Sequence, residues 1–138
     1  MKTECSAGGI VFKKENNKIF ILVSQHSKHH GWVFPKGRIG DKIENESKQN
    51  SAIREVKEET GVLGKITKAL KPINYWYEWD GGKIKKTVYY FLMQFLSGDI
   101  SKHDLEMEKV EWLIKEKVLD RLTYETDKKS WQEAEKLI

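Results

Sequence analysis

Runs of β-branched and apolar residues alternate with short polar turns over the first part of the chain. The runs at residues 6–12 and 18–24 flank the polar stretch 14–17, so they predict a β-hairpin. A shorter apolar run at residues 32–34 predicts a third strand, and Pro35 ends it because proline cannot donate a backbone hydrogen bond. The N-terminal part of the chain is therefore expected to be mainly β.

A second group of strands follows in the middle of the chain. Residues 65–70, 74–79 and 85–96 are rich in β-branched and aromatic side chains, and the turn sequence at 80–82 predicts that the last two pair as a hairpin. A further strand is predicted at residues 110–114. These strands give the chain enough β-structure for a sheet of several strands.

Helical patterns appear at three places. The first begins after Asn45 or Ser47, either of which suits a helix N-cap, and ends at Gly61, which suits a left-handed C-cap. A short helix is predicted at 115–121, and a terminal helix at 127–138 whose apolar residues are expected to face the core. Helices and strands do not alternate regularly, so the pattern predicts an α+β domain built in layers. The residues expected in the core from the terminal helix are Trp131, Ala134, Leu137 and Ile138.

Three acids share one stripe of the first helix. A helix advances about 100° per residue, which brings Glu55, Glu58 and Glu59 close together. Like charges at this spacing repel each other unless a cation compensates, and carboxylates suit a hard ion such as Mg²⁺ or Mn²⁺. A solvated acidic helix face is the alternative, and it is the better reading of the stripe taken alone.

The residues around the stripe decide between these readings. Gly40, five residues, Glu46, seven residues and Arg54 precede the acids, and Gly61 with an apolar residue follows them. This spacing resembles the signature of the Nudix hydrolases at every fixed position. The resemblance implies a mixed sheet between helices, an α/β/α sandwich with a loop-helix-loop catalytic motif, and an arginine that pairs with one of the glutamates. Gly40 is expected to let its loop approach ligand oxygens closely, because it lacks Cβ.

The resemblance extends over nearly the whole chain. The stretches SAGGIVF, GWVFPKGRI, NYWYEWDGGKIKKTVYYFLM and EMEKVEWL look most like dinucleoside tetraphosphate hydrolases of the MutT-like Nudix enzymes. One departure concerns the loop before the helix, where Gly37 stands three residues before the position that Gly40 fills. It stays open which of the two is the structural glycine, and whether Glu44 or Glu46 is the first acid of the motif.

The resemblance implies hydrolysis of a nucleoside diphosphate linked to another group, with divalent metal ions as cofactors. Glu55 and Glu59 are the expected principal metal ligands, and Glu58 is a further ligand or a base on bound water. Glu46 is expected to complete the site directly or through water, and Arg54 to support it. Glu106, ahead of the last strand, is the best candidate for a base from outside the helix, with Glu108 as its rival.

Substrate contacts are expected from cations and aromatic residues. Lys36, Arg38 and Lys86 are candidates for neutralising phosphates. Tyr77 is a candidate for stacking on a purine, and Tyr90 for donating a hydrogen bond to phosphate. Aromatic residues that alternate along a half-buried strand would give the same pattern without any ligand.

Length and composition limit the domain number, the cysteine chemistry and the membrane association that can be expected. The 138 residues are expected to form one Nudix domain, 1–138, and 38% hydrophobic residues are enough for a core. The single cysteine, Cys5, excludes an internal disulfide and a cysteine-based zinc site. No apolar run reaches the length of a membrane span and no signal-peptide core is present, which predicts a cytoplasmic protein without a membrane partner.

The charge balance favours a small-molecule nucleotide as the partner. The formal charge of +4 comes from scattered lysines, so it suits a polyanionic substrate and does not require nucleic-acid binding. The first alternative is hydrolysis at an RNA 5′ end, although no contiguous basic tract is present. The second is cleansing of nucleoside triphosphates, and the third is a nucleotide-sensing domain without catalysis.

Overall fold

The computed structural model describes residues 2–40 and 42–138. Its helices and strands follow the predicted order, except for a short strand at Lys36–Arg38 that was not predicted. Its strands are β1 (Lys2–Glu15), β2 (Lys18–His26), β3 (Trp32–Val33), β4 (Lys36–Arg38), β5 (Val62–Ala69), β6 (Ile73–Trp79), β7 (Gly82–Gly98) and β8 (Met107–Ile114). Its helices are α1 (Lys48–Thr60), α2 (Val118–Arg121) and α3 (Glu125–Glu135), with 3₁₀ turns at Ile100–Lys102 and Lys115–Lys117.

The strands form one mixed sheet with a parallel centre. Its main order is β3-β2-β1-β7-β5, with β1 and β7 parallel and every other pair antiparallel. Three strands pair outside this order, β4 with β1, β6 with β7, and β8 with β2. Both predicted hairpins are confirmed. In the first, Asn16 and Asn17 have φ of 52° and 64°, the left-handed conformation that a two-residue hairpin loop requires.

Hydrophobic clusters lie on both faces of the sheet. On one face Trp131 of α3 packs with Phe34 and Tyr90, and all three are almost completely buried. On the other face Val56 of α1 packs with Met93 of β7. The sheet is therefore sandwiched between helices, which confirms the predicted α+β fold.

Helix α1 begins and ends at the predicted types of cap. The Ser47 hydroxyl accepts a hydrogen bond from the Asn50 N–H at 3.1 Å, which decides between the two candidate N-caps. At the other end Gly61 has φ of 81° and donates its N–H to the Lys57 carbonyl at 2.8 Å. These caps fix the length of the helix that carries the acids.

Helix α3 differs from its prediction at both ends. It begins at Glu125 and ends at Glu135, so the last three residues lie outside the helix. Trp131 and Ala134 are fully buried as predicted, whereas Leu137 is 40% exposed and its predicted core position is wrong. None of the described helices combines the length and apolar character needed to cross a membrane.

Replacement of Gly61 by alanine tests the C-cap of α1. Its positive φ would be strained by any side chain, and a Cβ here would also overlap the Asp99 carbonyl oxygen. We expect Gly61→Ala to lower the free energy of unfolding by about 3 kcal/mol in urea denaturation. Gly81 is the matched control, because its φ is 75° but nothing lies within 4 Å of a Cβ. Gly81→Ala should cost only about 1–2 kcal/mol, and equal losses would contradict the steric argument.

Candidate active site

The acidic stripe of α1 lies partly inside the protein. The helix packs on the sheet through residues such as Ala52 and Val56, and the adjacent stripe turns toward β4. Glu55 and Glu59 are 5% and 2% exposed, whereas the Glu58 side chain is 31% exposed. Two of the three predicted metal ligands are therefore buried carboxylates, which is costly unless their charges are compensated.

Strand β4 passes directly against these carboxylates. The Lys36 N–H donates to Glu59 Oε2 at 3.0 Å, and a Cβ on Gly37 would overlap the Glu55 carboxylate. Gly37 is thus the glycine that allows close approach. Gly40 has φ of 77°, and a Cβ there would meet only the Ile43 carbonyl oxygen at 3.9 Å, so the glycine serves a left-handed turn. The close approach between the loop and the helix is therefore made at Gly37, whereas the expected approach of Gly40 to ligand oxygens stays a prediction.

Arg54 connects the acids of the motif. Its Nε and Nη2 donate to the Glu46 carboxylate at 2.9–3.1 Å, and its Nη1 donates to Glu55 at 3.0 Å and to Glu58 at 3.2–3.3 Å. The Glu46 hydrogen bonds, the largest favourable effect, raise the pKa of Arg54. The arginine therefore offsets the repulsion between the carboxylates.

Glu46 belongs to this hydrogen-bond network. A cleft lies beside Glu59, and Glu46 is not among the described residues that line it. Both of its oxygens accept from Arg54, and its side chain is 5% exposed. The expected direct role in completing the metal site does not fit this position, because the carboxylate points at the guanidinium. Glu46 accepts from Arg54, the pairing that the resemblance implied for a glutamate of the motif, whereas Glu44 is exposed.

Glu58 is held by two cations. Lys42 Nζ lies 2.8 Å from its Oε2, and Arg54 lies on its other side. Burial acts to raise the pKa of Glu58, but the hydrogen bonds from Lys42 and Arg54 outweigh burial and lower the pKa. Glu58 is therefore a stable anion at neutral pH, and a proton acceptor with a lowered pKa is a weak base.

Glu59 has the opposite electrostatic environment. Burial is the main cause that raises the pKa of Glu59, and the negative charge of Glu106 adds to it. The charge and the backbone N–H of Lys36 oppose this shift without cancelling it. A bound cation would favour the ionised form of such a carboxylate.

Glu106 reaches the same cleft from the loop before β8. Its carbonyl accepts from the N–H and the hydroxyl of Ser27 at 3.0 and 2.9 Å, and its Oε1 lies 3.6 Å from His26 Nε2. The cleft has a volume of about 360 Å³. Its lining combines acids, cations and two histidines: Ser6, His26, His29, Val33, Phe34, Lys36, Gly37, Arg38, Lys42, Glu55, Glu59, Lys86, Glu106 and Met107.

The donors in this cleft suit a hard divalent ion. Glu55, Glu59 and Glu106 supply carboxylate oxygens, and the charges of the other two raise the pKa of Glu59, so the three lie near one another. Among residues 2–40 and 42–138, however, no three acids, histidines or cysteines are already gathered at metal-binding distances. The donor chemistry fits the predicted metal, while the ligands are not preassembled around one point.

A second pocket of about 510 Å³ adjoins the acidic cleft. His29, Val33, Lys36 and Lys86 line both, so the two cavities lie next to each other. Its other walls include three tyrosines and come from β6, β7, and the start of α3 with its N-cap residue: Ile73, Tyr75, Val88, Tyr90, Tyr124, Glu125, Thr126 and Asp127. We call it the aromatic pocket.

His29 and Tyr124 are fixed relative to each other at its rim. The His29 Nδ1 accepts from the Gly31 N–H at 3.0 Å and lies 3.0 Å from the Tyr124 hydroxyl. The His29 ring also stacks on His26, with centroids 4.2 Å apart. Burial, followed by the charges of His26 and Lys36, lowers the pKa of His29. The rim therefore carries a neutral imidazole near pH 7.

The predicted substrate contacts divide into two groups. Lys36, Arg38 and Lys86 line the acidic cleft together with Glu55, Glu59 and Glu106. Tyr77 does not line either cavity, because its hydroxyl donates to Glu4 at 2.7 Å and its ring lies on a separate surface. Tyr75, two residues earlier, lines the aromatic pocket instead.

Tyr90 lines the aromatic pocket but is almost completely buried. It is 1% exposed, and its hydroxyl donates to Asp127 Oδ1 at 2.8 Å. The expected hydrogen bond from Tyr90 to a phosphate is wrong for this structure, because the hydroxyl already donates its hydrogen bond to Asp127. The alternation of side chains along β6 indicates that Tyr75 and Tyr77 share one face of the strand. Only the pairing of β6 with β7, which places Tyr75 opposite Lys86, decides which tyrosine lies beside the cleft cations.

Comparison with known proteins identifies the family. The model of the NUDIX domain matches residues 3–134. The chain belongs to the Nudix family. The family includes hydrolases that act on pyrophosphate bonds, which is the activity that the resemblance implied. Nudix hydrolases need a divalent metal ion, in keeping with the oxygen donors of the cleft.

Individual relatives agree with this assignment. The chain is 36% identical to MutT4 of Mycobacterium tuberculosis over 98% of its own length and 56% of that protein. It is 28% identical to an 8-oxo-(d)GTP phosphatase of Mycolicibacterium smegmatis over 79% of its length and 31% of that protein. The chain thus spans about half or less of these curated relatives.

A solved structure matches over its whole length. The C. elegans Ap4A hydrolase, determined as a binary complex, has a TM-score of 0.73 and 25% sequence identity. The match covers 97% of this Nudix chain and 96% of that one. The two proteins therefore share their fold over nearly all of both chains.

Alanine at position 37 tests which glycine the cleft requires. A Cβ on Gly37 would displace the Glu55 carboxylate, and a displacement of about 1 Å near reacting groups can cost about 100-fold in rate. We expect Gly37→Ala to lower turnover of a pyrophosphate substrate by about 100-fold. Gly40→Ala should mainly reduce stability, by about 1–2 kcal/mol, because only its φ is strained. The reverse ranking in a turnover assay would contradict these roles.

Proposed function

We propose that this Nudix domain hydrolyses a nucleoside diphosphate linked to another group, with a dinucleoside polyphosphate of the diadenosine tetraphosphate type as the preferred substrate. The observation that carries the proposal is that the acidic cleft and the aromatic pocket adjoin and share His29, Lys36 and Lys86 as lining residues. A polyphosphate chain suits the first cavity and a nucleoside suits the second. The full-length likeness to an Ap4A hydrolase supports the same substrate.

The cations of the cleft are suited to phosphate binding. Lys36 and Lys86 lie at the junction of the cavities, and Arg38 lines the cleft. Lys86 is half-buried, and burial followed by the charge of Lys36 lowers its pKa. An anionic substrate would favour its charged form, so substrate binding and the ammonium charge support each other.

Magnesium is the proposed ion, with manganese as its substitute, and it would neutralise phosphate oxygens and activate water. Glu55 and Glu59 would hold it, with Glu106 as an additional carboxylate at the edge of the cleft. Glu58 would stay ionised. It would contribute by its hydrogen bonds with Arg54 and by adding negative charge to the site. Glu106 remains the proposed base, since it is the most exposed of these acids and so can meet water. Action in the cytoplasm is part of the same proposal.

Cleansing of nucleoside triphosphates is the second candidate. It is favoured by the 28% identity to an 8-oxo-(d)GTP phosphatase. A panel of diadenosine tetraphosphate, dGTP and 8-oxo-dGTP, assayed with Mg²⁺, separates the two candidates by kcat/KM. Highest efficiency with diadenosine tetraphosphate supports the first, and highest efficiency with 8-oxo-dGTP the second. No turnover of any of these compounds would favour a nucleotide sensor.

Glu59→Gln tests the metal site at constant side-chain shape. Residues that only support a metal ligand are commonly worth 10–100-fold, so loss of a direct ligand should lower turnover by more than about 100-fold. Mg²⁺ should raise the melting temperature of the original protein by a few degrees, because it binds the folded state only. This shift should vanish in Glu59→Gln.

Glu135→Gln is the matched control for that variant. Glu135 is exposed at the end of α3, away from the cleft, so both turnover and the Mg²⁺ shift should be retained. A Glu59→Gln protein that keeps near-normal turnover, or keeps the Mg²⁺-dependent melting shift, would refute the assignment of Glu59 as a metal ligand.

Tyr75→Ala tests the nucleoside position. Stacking of a base on an aromatic ring is worth about 1–3 kcal/mol, so KM for diadenosine tetraphosphate should rise about tenfold. Tyr77→Ala is the matched control from the same strand, and its KM should change less than twofold because Tyr77 lines neither cavity. If Tyr77→Ala has the larger effect on KM, the nucleoside does not lie in the aromatic pocket.

A further inference from the structure

A third cavity lies between the β5–β6 connection and α3. Its volume is about 510 Å³, and three of its lining residues are cations, Lys71, Lys129 and Lys136. One carboxylate, Glu133, is also present, and its Oε1 already accepts the Lys71 N–H at 2.9 Å. We call this cavity the lysine groove. Its excess of positive charge suits an anion.

The lysine groove adjoins the aromatic pocket but not the acidic cleft. It shares Ile73 and Thr126 with the aromatic pocket. None of the described residues lines both the lysine groove and the acidic cleft. The three cavities therefore follow one another, with the aromatic pocket in the middle.

A polar group without a partner lies at the wall of this groove. Ser130 of α3 is 3% exposed, and its hydroxyl has no hydrogen-bond partner within residues 2–40 and 42–138. The oxygen atom itself is inaccessible to a ligand in the groove. The positive charge of the three lysines is therefore the feature that points to an anion.

The order of the cavities indicates which part of a nucleotide would reach the groove. In the proposed binding mode the 5′ phosphates run from the nucleoside into the acidic cleft. The 3′ oxygen lies on the opposite side of the ribose, so a substituent there would extend away from the cleft. The base itself carries no negative charge for the lysines to match.

We propose that the lysine groove binds a phosphate attached to the 3′ oxygen of the nucleoside in the aromatic pocket. This inference rests on the proposed function, which seats the nucleoside beside Tyr75. The phosphate can belong to a free 3′-phosphorylated nucleotide, or it can be the first internucleotide phosphate at the 5′ end of an RNA. Both sources present the same anionic oxygens to Lys71, Lys129 and Lys136.

Calorimetric binding of ligands without a phosphoanhydride bond tests this inference apart from catalysis. We would compare AMP, adenosine 3′,5′-bisphosphate, adenosine 2′,5′-bisphosphate and the dinucleotide pApA. Exposed ion pairs contribute up to about 1 kcal/mol each, so the 3′,5′-bisphosphate should bind about tenfold more tightly than AMP. The 2′,5′ isomer should gain less. Tighter binding of the bisphosphate than of pApA indicates a free nucleotide, and the reverse indicates an RNA end.

The double variant Lys129→Ala, Lys136→Ala should abolish this advantage while the dissociation constant of AMP stays unchanged. Alanine favours helix, so α3 should remain folded. Lys65→Ala with Lys109→Ala is the charge-matched control, since both lysines are exposed on strands outside the groove, and it should keep the advantage.

Two results would overturn the inference alone: no tighter binding of the 3′,5′-bisphosphate than of AMP, or an advantage that survives in the double variant. In both cases hydrolysis of diadenosine tetraphosphate can remain normal, which leaves the proposed function intact. If AMP does not bind and no substrate of the panel is hydrolysed, the proposed function and the inference fail together.

Discussion

The contact of Arg54 with Glu46, Glu55 and Glu58 is the interaction on which the site depends. Carboxylates crowded on one helix stripe repel each other, and burial makes that repulsion stronger. The guanidinium offsets it with several donors at 2.9–3.3 Å, and Glu46 in turn fixes the guanidinium. This arrangement leaves Glu59, which faces β4, as the carboxylate whose charge is least compensated by arginine. The negative charge that a bound cation would compensate therefore lies mainly in the cleft.

The fold provides this cleft by bringing β4 against α1. Gly37 removes the side chain that would collide with Glu55, and the caps at Ser47 and Gly61 fix where the helix begins and ends. The sheet then carries Lys86 of β7 to the same place as Lys36 of β4. Substrate-binding cations and the acids thus come from separate elements that one sheet holds together.

The helix motif could be predicted from the sequence because its spacing is local. Residues three or four apart on a helix are neighbours whatever the rest of the fold does, so the stripe follows from residue numbers. The sequence narrowed the N-cap to Asn45 or Ser47, and the family resemblance implied that Arg54 pairs with a glutamate. The aromatic pocket could not be predicted in this way. Tyr75 and Tyr77 lie on the same face of β6, and only the pairing with β7 sets Tyr75 beside Lys86. The tasks of Gly37 and Gly40 likewise depend on how the loop folds back on the helix.

The central claim is that the acidic cleft and the aromatic pocket together form one substrate site. The most direct test is a crystal structure with Mg²⁺ and a non-hydrolysable methylene analogue of diadenosine tetraphosphate. We predict the phosphate chain between Glu59 and the cations Lys36 and Lys86, with one adenosine against Tyr75. An adenosine bound on the surface formed by Trp76 and Tyr77, with no phosphate in the acidic cleft, would contradict the account.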